Sequence, residues 1–128
     1  MTTRDIRERA AVAREYLQVA LERLDLAPDG ASDVAQVAAA SAIQAAIAGA
    51  DALCGRAHGY RSAGQDHREV TVLLKSLPEI GPRLAQKFSR LASDKTELTY
   101  GGWCTRAEAE RAVKDARVFI DELDRLSL

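Results

Sequence analysis

Aromatic side chains are scarce in this sequence, with two Phe, three Tyr and one Trp among 128 residues. A core with so few rings must be filled by aliphatic and small side chains, and alanine-rich segments suit close helix packing better than a bulky sheet core. Cysteine is scarcer still. Cys54 and Cys104 stand fifty positions apart, which excludes a disulfide-built scaffold and fits a reducing compartment. Proline occurs only at Pro28, Pro78 and Pro82, so nothing breaks a helix between 34 and 57. Net charge is −1, too little for the whole molecule to be drawn to nucleic acid or membrane. The opening MTTRDIRERA has no apolar run of the kind a secretion signal carries. Nor does any apolar run of membrane-spanning length escape Asp or Arg. A cytoplasmic chain with no membrane partner is therefore expected. Strand alternation, internal repeats and low-complexity tracts are missing too, and the length suits one domain, 1–128.

What is present is helical periodicity. The stretch VAQVAAASAIQAAIAGADALCGRA, from Val34 to Ala57, carries one charge, Asp51, before Arg56. A surface helix of that length would show a charged face. This one is expected to be buried on most sides, by neighbouring helices or by a second copy of the chain. Its polar line is Ser41, Gln44, Asp51 and His58, with Ala48 and Gly55 at the same spacing. Such a stripe suits close contact, and a homodimer through the 34–58 helix follows as an expectation.

Before it, Ile6, Ala10, Ala13, Leu17 and Leu24 recur at helical spacing behind a Thr2 or Thr3 cap. After it, GYRSAGQDH (59–67) is a glycine-punctuated loop, with Asp66 as the N-cap expected for a third helix. Val70, Leu73, Leu74 and Leu77 line that helix. Pro82 opens a fourth, in which Lys95 shares a face with Leu84, Phe88, Leu91 and Leu98. Thr105 and Glu108 form a capping box for the fifth, whose apolar face runs from Ala109 to Leu126. The fold expected is all-α, a five-helix up-and-down bundle.

Charge is unevenly spread. Residues 56–95 hold eight basic and four acidic groups, while 1–55 hold five and eight, and 96–128 hold five and seven. The middle third is thus +4 between acidic flanks, which favours an anionic ligand there, with a merely solvated surface as the plain alternative.

The order of features resembles the HEPN domain, a small helical domain of bacterial toxin–antitoxin, phage-defence and nucleotide-handling systems. Three stretches carry the resemblance. They are AAVAREYLQVALERL, then SAIQAAIAGADAL running into RSAGQDHREVTVLL, and KTELTYGGW followed by TRAEAERAVKDARVFIDEL. HEPN ribonucleases share an Arg-x4–6-His motif, and Arg61 to His67 fits that spacing. The resemblance implies an RNA-targeting effector, a toxin-like metal-independent endoribonuclease, with an antitoxin protein as a partner. It equally admits a noncatalytic module that binds a nucleotide or a partner protein.

Metal-free RNA cleavage needs a base for the 2′-OH proton and a cation for the charge gathering on phosphate. His67 at the first turn of a helix would have its cationic form disfavoured, as a base requires. Arg61 can grip two phosphate oxygens. Arg68 adds charge, and Lys95 or Tyr100 could complete the pocket. His58 is either a second acid–base group or a cap on helix-end carbonyls. Asp51 reads as a buried acid paired with Arg61 or Lys95, or simply as an interface polar group. Trp103 reads as a lid residue packed on the core. No cofactor is implied, because no phosphate-cradling GxxxxGK[ST] or GxGxxG is present. Cys54 and His58, with His67 or Asp66 nearby, lack a CxxC or HExxH frame, so no metal site is expected.

Overall fold

The computed structural model describes the backbone of residues 1–59, 67–100 and 102–128, and the side chains of these except at 67 and 95–100. Five helices span them: α1 Thr3–Leu26, α2 Asp33–His58, α3 His67–Lys75, α4 Gly81–Tyr100 and α5 Arg106–Arg125.

Local chemistry sets the helix starts. Thr2 accepts the Asp5 N–H at 3.0 Å while the Asp5 carboxylate accepts the Thr2 N–H at 2.9 Å. Thr105 and Glu108 repeat the arrangement at 3.1 and 3.0 Å. These are reciprocal capping boxes, each satisfying two orphan backbone donors. Ser32 caps α2 by accepting the Ala35 N–H at 3.0 Å. At its far end, α2 stops where Gly59 turns left-handed with φ 78°, a conformation that costs glycine little.

α2 is the central element and touches every other helix. Its Ala35, Ala38, Ala42, Ala45, Ala46 and Ala48 are fully covered. The coverage comes from within the chain, so the missing charged face is accounted for by neighbouring helices. Small side chains let these neighbours come close. A Cβ on Gly49 would stand 3.1 Å from the Phe119 Cβ on α5. The larger side chains filling the core are Phe119, Leu74, Leu84, Leu91 and Leu123, with Phe88 set edge-on to Phe119. Each such Leu or Phe contributes about 1.5–3 kcal/mol by leaving water. By length and composition α2 could cross a bilayer, but most of its apolar window is buried inside the bundle, as in the core helix of a globular fold.

Contacts along the helices give their directions. The Met1 amino group donates to the Gly59 carbonyl, and Arg9 pairs with Asp51, so α1 and α2 are antiparallel. Arg90 pairs with Asp115 and Arg111 with Asp94, so α4 and α5 are antiparallel. The five-helix bundle expected from the sequence is observed, and its alternation breaks once. Thr71 meets Ser89 and Gly81 packs on Leu74, so α3 is antiparallel to α4. Arg14 pairs with Asp124 and Arg106 with the Ala27 carbonyl, so α5 is antiparallel to α1. α3 therefore runs in the same sense as α2, its end beside that of α2 where His58 meets Leu73 and Ser76. At the opposite end, the α1–α2 and α4–α5 connections are clipped together. Ser32 N–H donates to Cys104 O at 3.2 Å, Arg106 N–H to Gly30 O at 3.0 Å, and Cys104 N–H to Gln36 Oε1 at 2.9 Å.

Candidate functional site

The segment singled out by sequence joins the end of α2 to the start of α3. Arg61 and the His67 side chain lie outside the described residues, as do the side chains of Lys95 and Tyr100. What the structure gives is their frame. The described part of α3 runs from His67, and the helix start and capping role expected at Asp66 fall outside the described residues. Arg56 and Arg68 flank the segment and are exposed.

His58, the last residue of α2, is half-buried. Its Nε2 lies 2.9 Å from Ser76 Oγ and 3.3 Å from the Leu73 carbonyl, and the Ser76 hydroxyl donates to that same carbonyl at 2.7 Å. The imidazole, the hydroxyl and the carbonyl thus form one hydrogen-bonded cluster. His58 therefore ties α2 to α3, and through α3 it holds the frame of the loop.

Asp51 is held by Arg9 of α1 at 3.1 Å. The pairing with Arg61 or Lys95 expected from sequence involves side chains outside the described residues. Cys54, one turn on, is buried, and its thiol is pushed up to about 12, first by burial and then by the Asp51 charge. Burial likewise raises Cys104, with Glu108 adding to it. Neither thiol is available as a thiolate near neutral pH. Among the described residues no group of three or more His, Cys, Asp or Glu is placed to hold a metal ion.

One expectation is overturned. Trp103 is 63% exposed, standing out from the α4–α5 connection instead of lying on the core. The neighbouring backbone explains this. Cys104 turns inward to the clip with Gln36 and Ser32, which carries the preceding side chain outward.

A feature of α5 escapes a reading of the sequence. Asp115 is 1% exposed and accepts two hydrogen bonds from Arg90, with Lys87 Nζ 3.4 Å away. Glu122, two turns on, is buried beneath Arg125. A sequence signal exists for it. Asp115 and Glu122 fall in line with Ala112 and Phe119 at three-and-four spacing, so two acids occupy the edge of an apolar face. Carboxylates there must find cations, and Lys87 and Arg90 sit three apart on the facing helix.

The architecture thus defines an all-α five-helix domain with a cation-flanked connection between α2 and α3. No family model, curated protein or solved structure matches this chain.

Proposed function

We propose that the protein is a HEPN-like, RNA-directed domain in which Arg61 and His67 cleave an RNA strand without a metal ion. The observation that supports this most directly is where the Arg-x5-His segment falls. It falls between the end of α2 at His58 and the described part of α3, and Arg56 and Arg68 to either side of it are exposed. On this reading His67, expected in the first turn of α3, is the base that takes the 2′-OH proton. Arg61 neutralises charge on the phosphate as the 2′ oxygen attacks and the 5′ oxygen leaves. The assay incubates purified protein with labelled RNA in EDTA. His67→Ala removes cleavage and leaves binding, and Arg61→Ala weakens both. Equal background from wild type and the His67 variant would remove the catalytic reading.

A second reading, a noncatalytic binding module, is favoured by how His58 and Asp51 are used. Both are engaged in holding helices together, so neither stands ready as a second acid–base group. On this reading wild type binds RNA or nucleotide, and no product forms.

Self-association, with an antitoxin protein as a further partner, belongs to the same proposal. Ala48 is covered within the chain, so a homodimer through α2 would use the narrower exposed stripe of Val37, Ala40 and Gln44. Tyr16 and Val19 of α1 flank it, about a heptad or more along from the Arg9–Asp51 pair. Light scattering at micromolar concentration tests this, and a strictly monomeric mass would remove it.

A further inference from the structure

The seam between α4 and α5 separates its charges by depth. On α4, Arg83, Lys87, Arg90 and Asp94 recur at three-and-four spacing down one face, and Arg111, Asp115 and Val118 do so on α5, with Lys114 at the rim. The acids lie beneath. Asp115 is 1% exposed and Asp94 18%, whereas Arg90 is 43% and Arg111 49% exposed. Arg83 and Lys114 are exposed as well. Five cations thus stand over two covered carboxylates, a local excess of three. Farther round α5, Asp121 and Arg117 offset each other, and Glu110 is occupied by Arg106 at 2.9 Å. The whole-molecule charge of −1 conceals this ridge.

We infer that the α4–α5 seam is a second RNA contact, gripping the phosphate backbone of a single strand outside the α2–α3 connection. The inference rests on the RNA-directed reading above and extends it to a surface that reading does not use. Covered carboxylates fix the guanidinium stems while leaving their outer N–H groups toward solvent, an arrangement suited to phosphate oxygens. From Arg83 to Asp94 the ridge runs about 16 Å, the length of several phosphates at about 3.4 Å rise each.

An acidic protein would be the other polyanion, and the seam lacks what a protein interface needs. The exposed large apolar residues among those described are Tyr16, Val19, Leu26, Val37, Val72 and Trp103, and none lies along the ridge, so there is no apolar core to desolvate. Trp103 stands instead in the connection where the seam begins. An exposed indole in the connection between the two helices of a cationic seam is suited to the pairing that single-strand binders use, rings for bases and cations for phosphates.

The test is fluorescence anisotropy of a labelled single-stranded RNA across a salt series. The variant is Arg83→Gln/Arg111→Gln/Lys114→Gln, chosen because none of the three holds buried Asp115, with thermal melts to verify folding. The control is Arg7→Gln/Arg23→Gln on α1. The expected result is at least a tenfold loss of affinity for the seam variant. Its log–log salt slope becomes shallower by about 2, since each single-strand phosphate left unneutralised takes away about 0.7. The control stays within twofold of wild type. Trp103→Ala weakens binding about fivefold or more, and RNA quenches the fluorescence of this single tryptophan in wild type. If wild type binds RNA and the seam variant binds equally, the seam inference is overturned and the RNA reading stands. If wild type binds no RNA at low salt, the RNA reading itself has failed. If polyglutamate binds in its place, the ridge belongs to an acidic protein and the inference is likewise overturned.

Discussion

The Arg90 guanidinium on α4 reaches both oxygens of the Asp115 carboxylate on α5, and the acid is almost fully closed off from solvent. The Asp115 contacts hold Arg90 in its protonated form, its pKa raised by the hydrogen bonds and then by the charge itself. Lys87 sits on the same carboxylate at 3.4 Å, so either cation can shield the acid when the other is removed. The two substitutions Arg90→Met and Lys87→Met should therefore be non-additive. Each alone leaves one partner in place. Together they leave a buried carboxylate with neither, and the double variant should lose about 1 kcal/mol or more beyond the sum of the singles. Urea denaturation of the four proteins in the cycle measures this, and strict additivity would show the two cations acting independently.

Gly49 and Gly55 should respond differently to alanine, although both lie in α2. Replacing glycine inside a helix gains about 1 kcal/mol from propensity alone. At Gly49 the new methyl would meet the Phe119 Cβ at 3.1 Å, an atom fixed to the backbone of α5. Overpacking of this kind costs about 1–3 kcal/mol, so Gly49→Ala should be net destabilising. At Gly55 the methyl would meet the Met1 sulfur at 2.6 Å and the Ile6 Cγ1 at 3.1 Å, side-chain atoms beyond Cβ that can turn aside, unlike the Phe119 Cβ. Gly55→Ala should come out near neutral. Thermal melts of the two variants compare them directly.

Ala48→Glu follows from the coverage of α2. Its position is fully buried within one chain, so the charge would enter the monomer core without a partner, at a cost of several kcal/mol. The expected outcome is a large drop in the melting midpoint at every protein concentration. Unchanged stability with a halved mass would place Ala48 at an interface between copies.

The capping box at the head of α5 makes stability depend on acid. Glu108 titrates below its ordinary 4.5, held there first by the Thr105 backbone N–H and then by its hydroxyl. A carboxyl with a lowered native pKa contributes stability that is present above its unfolded value and lost as pH falls through the native one. The gap in melting midpoint between wild type and Glu108→Ala should be constant at neutral pH. It should then close as pH drops below 4.5. Thr105→Ala should cost about 1 kcal/mol at neutral pH.

Cys54, with its thiol pushed up to about 12, should resist thiol reagents in the native protein at pH 8 and react on unfolding. Cys104 is buried as well. A native protein that titrates two thiols at the rate of free cysteine would contradict the packing around α2.

How much of this is legible in the sequence divides along a physical line. Thr2, Ser32 and Thr105 announce their helices because a cap is local chemistry, complete within four residues. The apolar lines of α1 and α5 are readable for the same reason, since period and burial coincide. The acids on the edge of the α5 face are not, because Asp115 becomes intelligible only when Arg90 and Lys87 arrive from another helix. The coverage of α2 is half legible. Its lack of charge demands neighbours, but the choice between other helices and a second chain depends on packing. Trp103 misleads because a large apolar ring is expected to seek the core, whereas the clip at Cys104 turns it outward. Of the candidate site, sequence supplies Arg61, His67 and Arg68, and the structure supplies the His58 tether that fixes α3 beside α2.

The central claim is RNA cleavage dependent on His67 and independent of metal, and its most direct measurement is the product itself. End-labelled RNA is incubated in EDTA with wild type and with His67→Ala, and the fragment termini are analysed. Attack by the 2′ oxygen predicts fragments ending in 2′,3′-cyclic phosphate and beginning with 5′-OH, formed by wild type and absent with His67→Ala. Identical background from the two proteins, or products whose formation needs added divalent metal, would contradict the account.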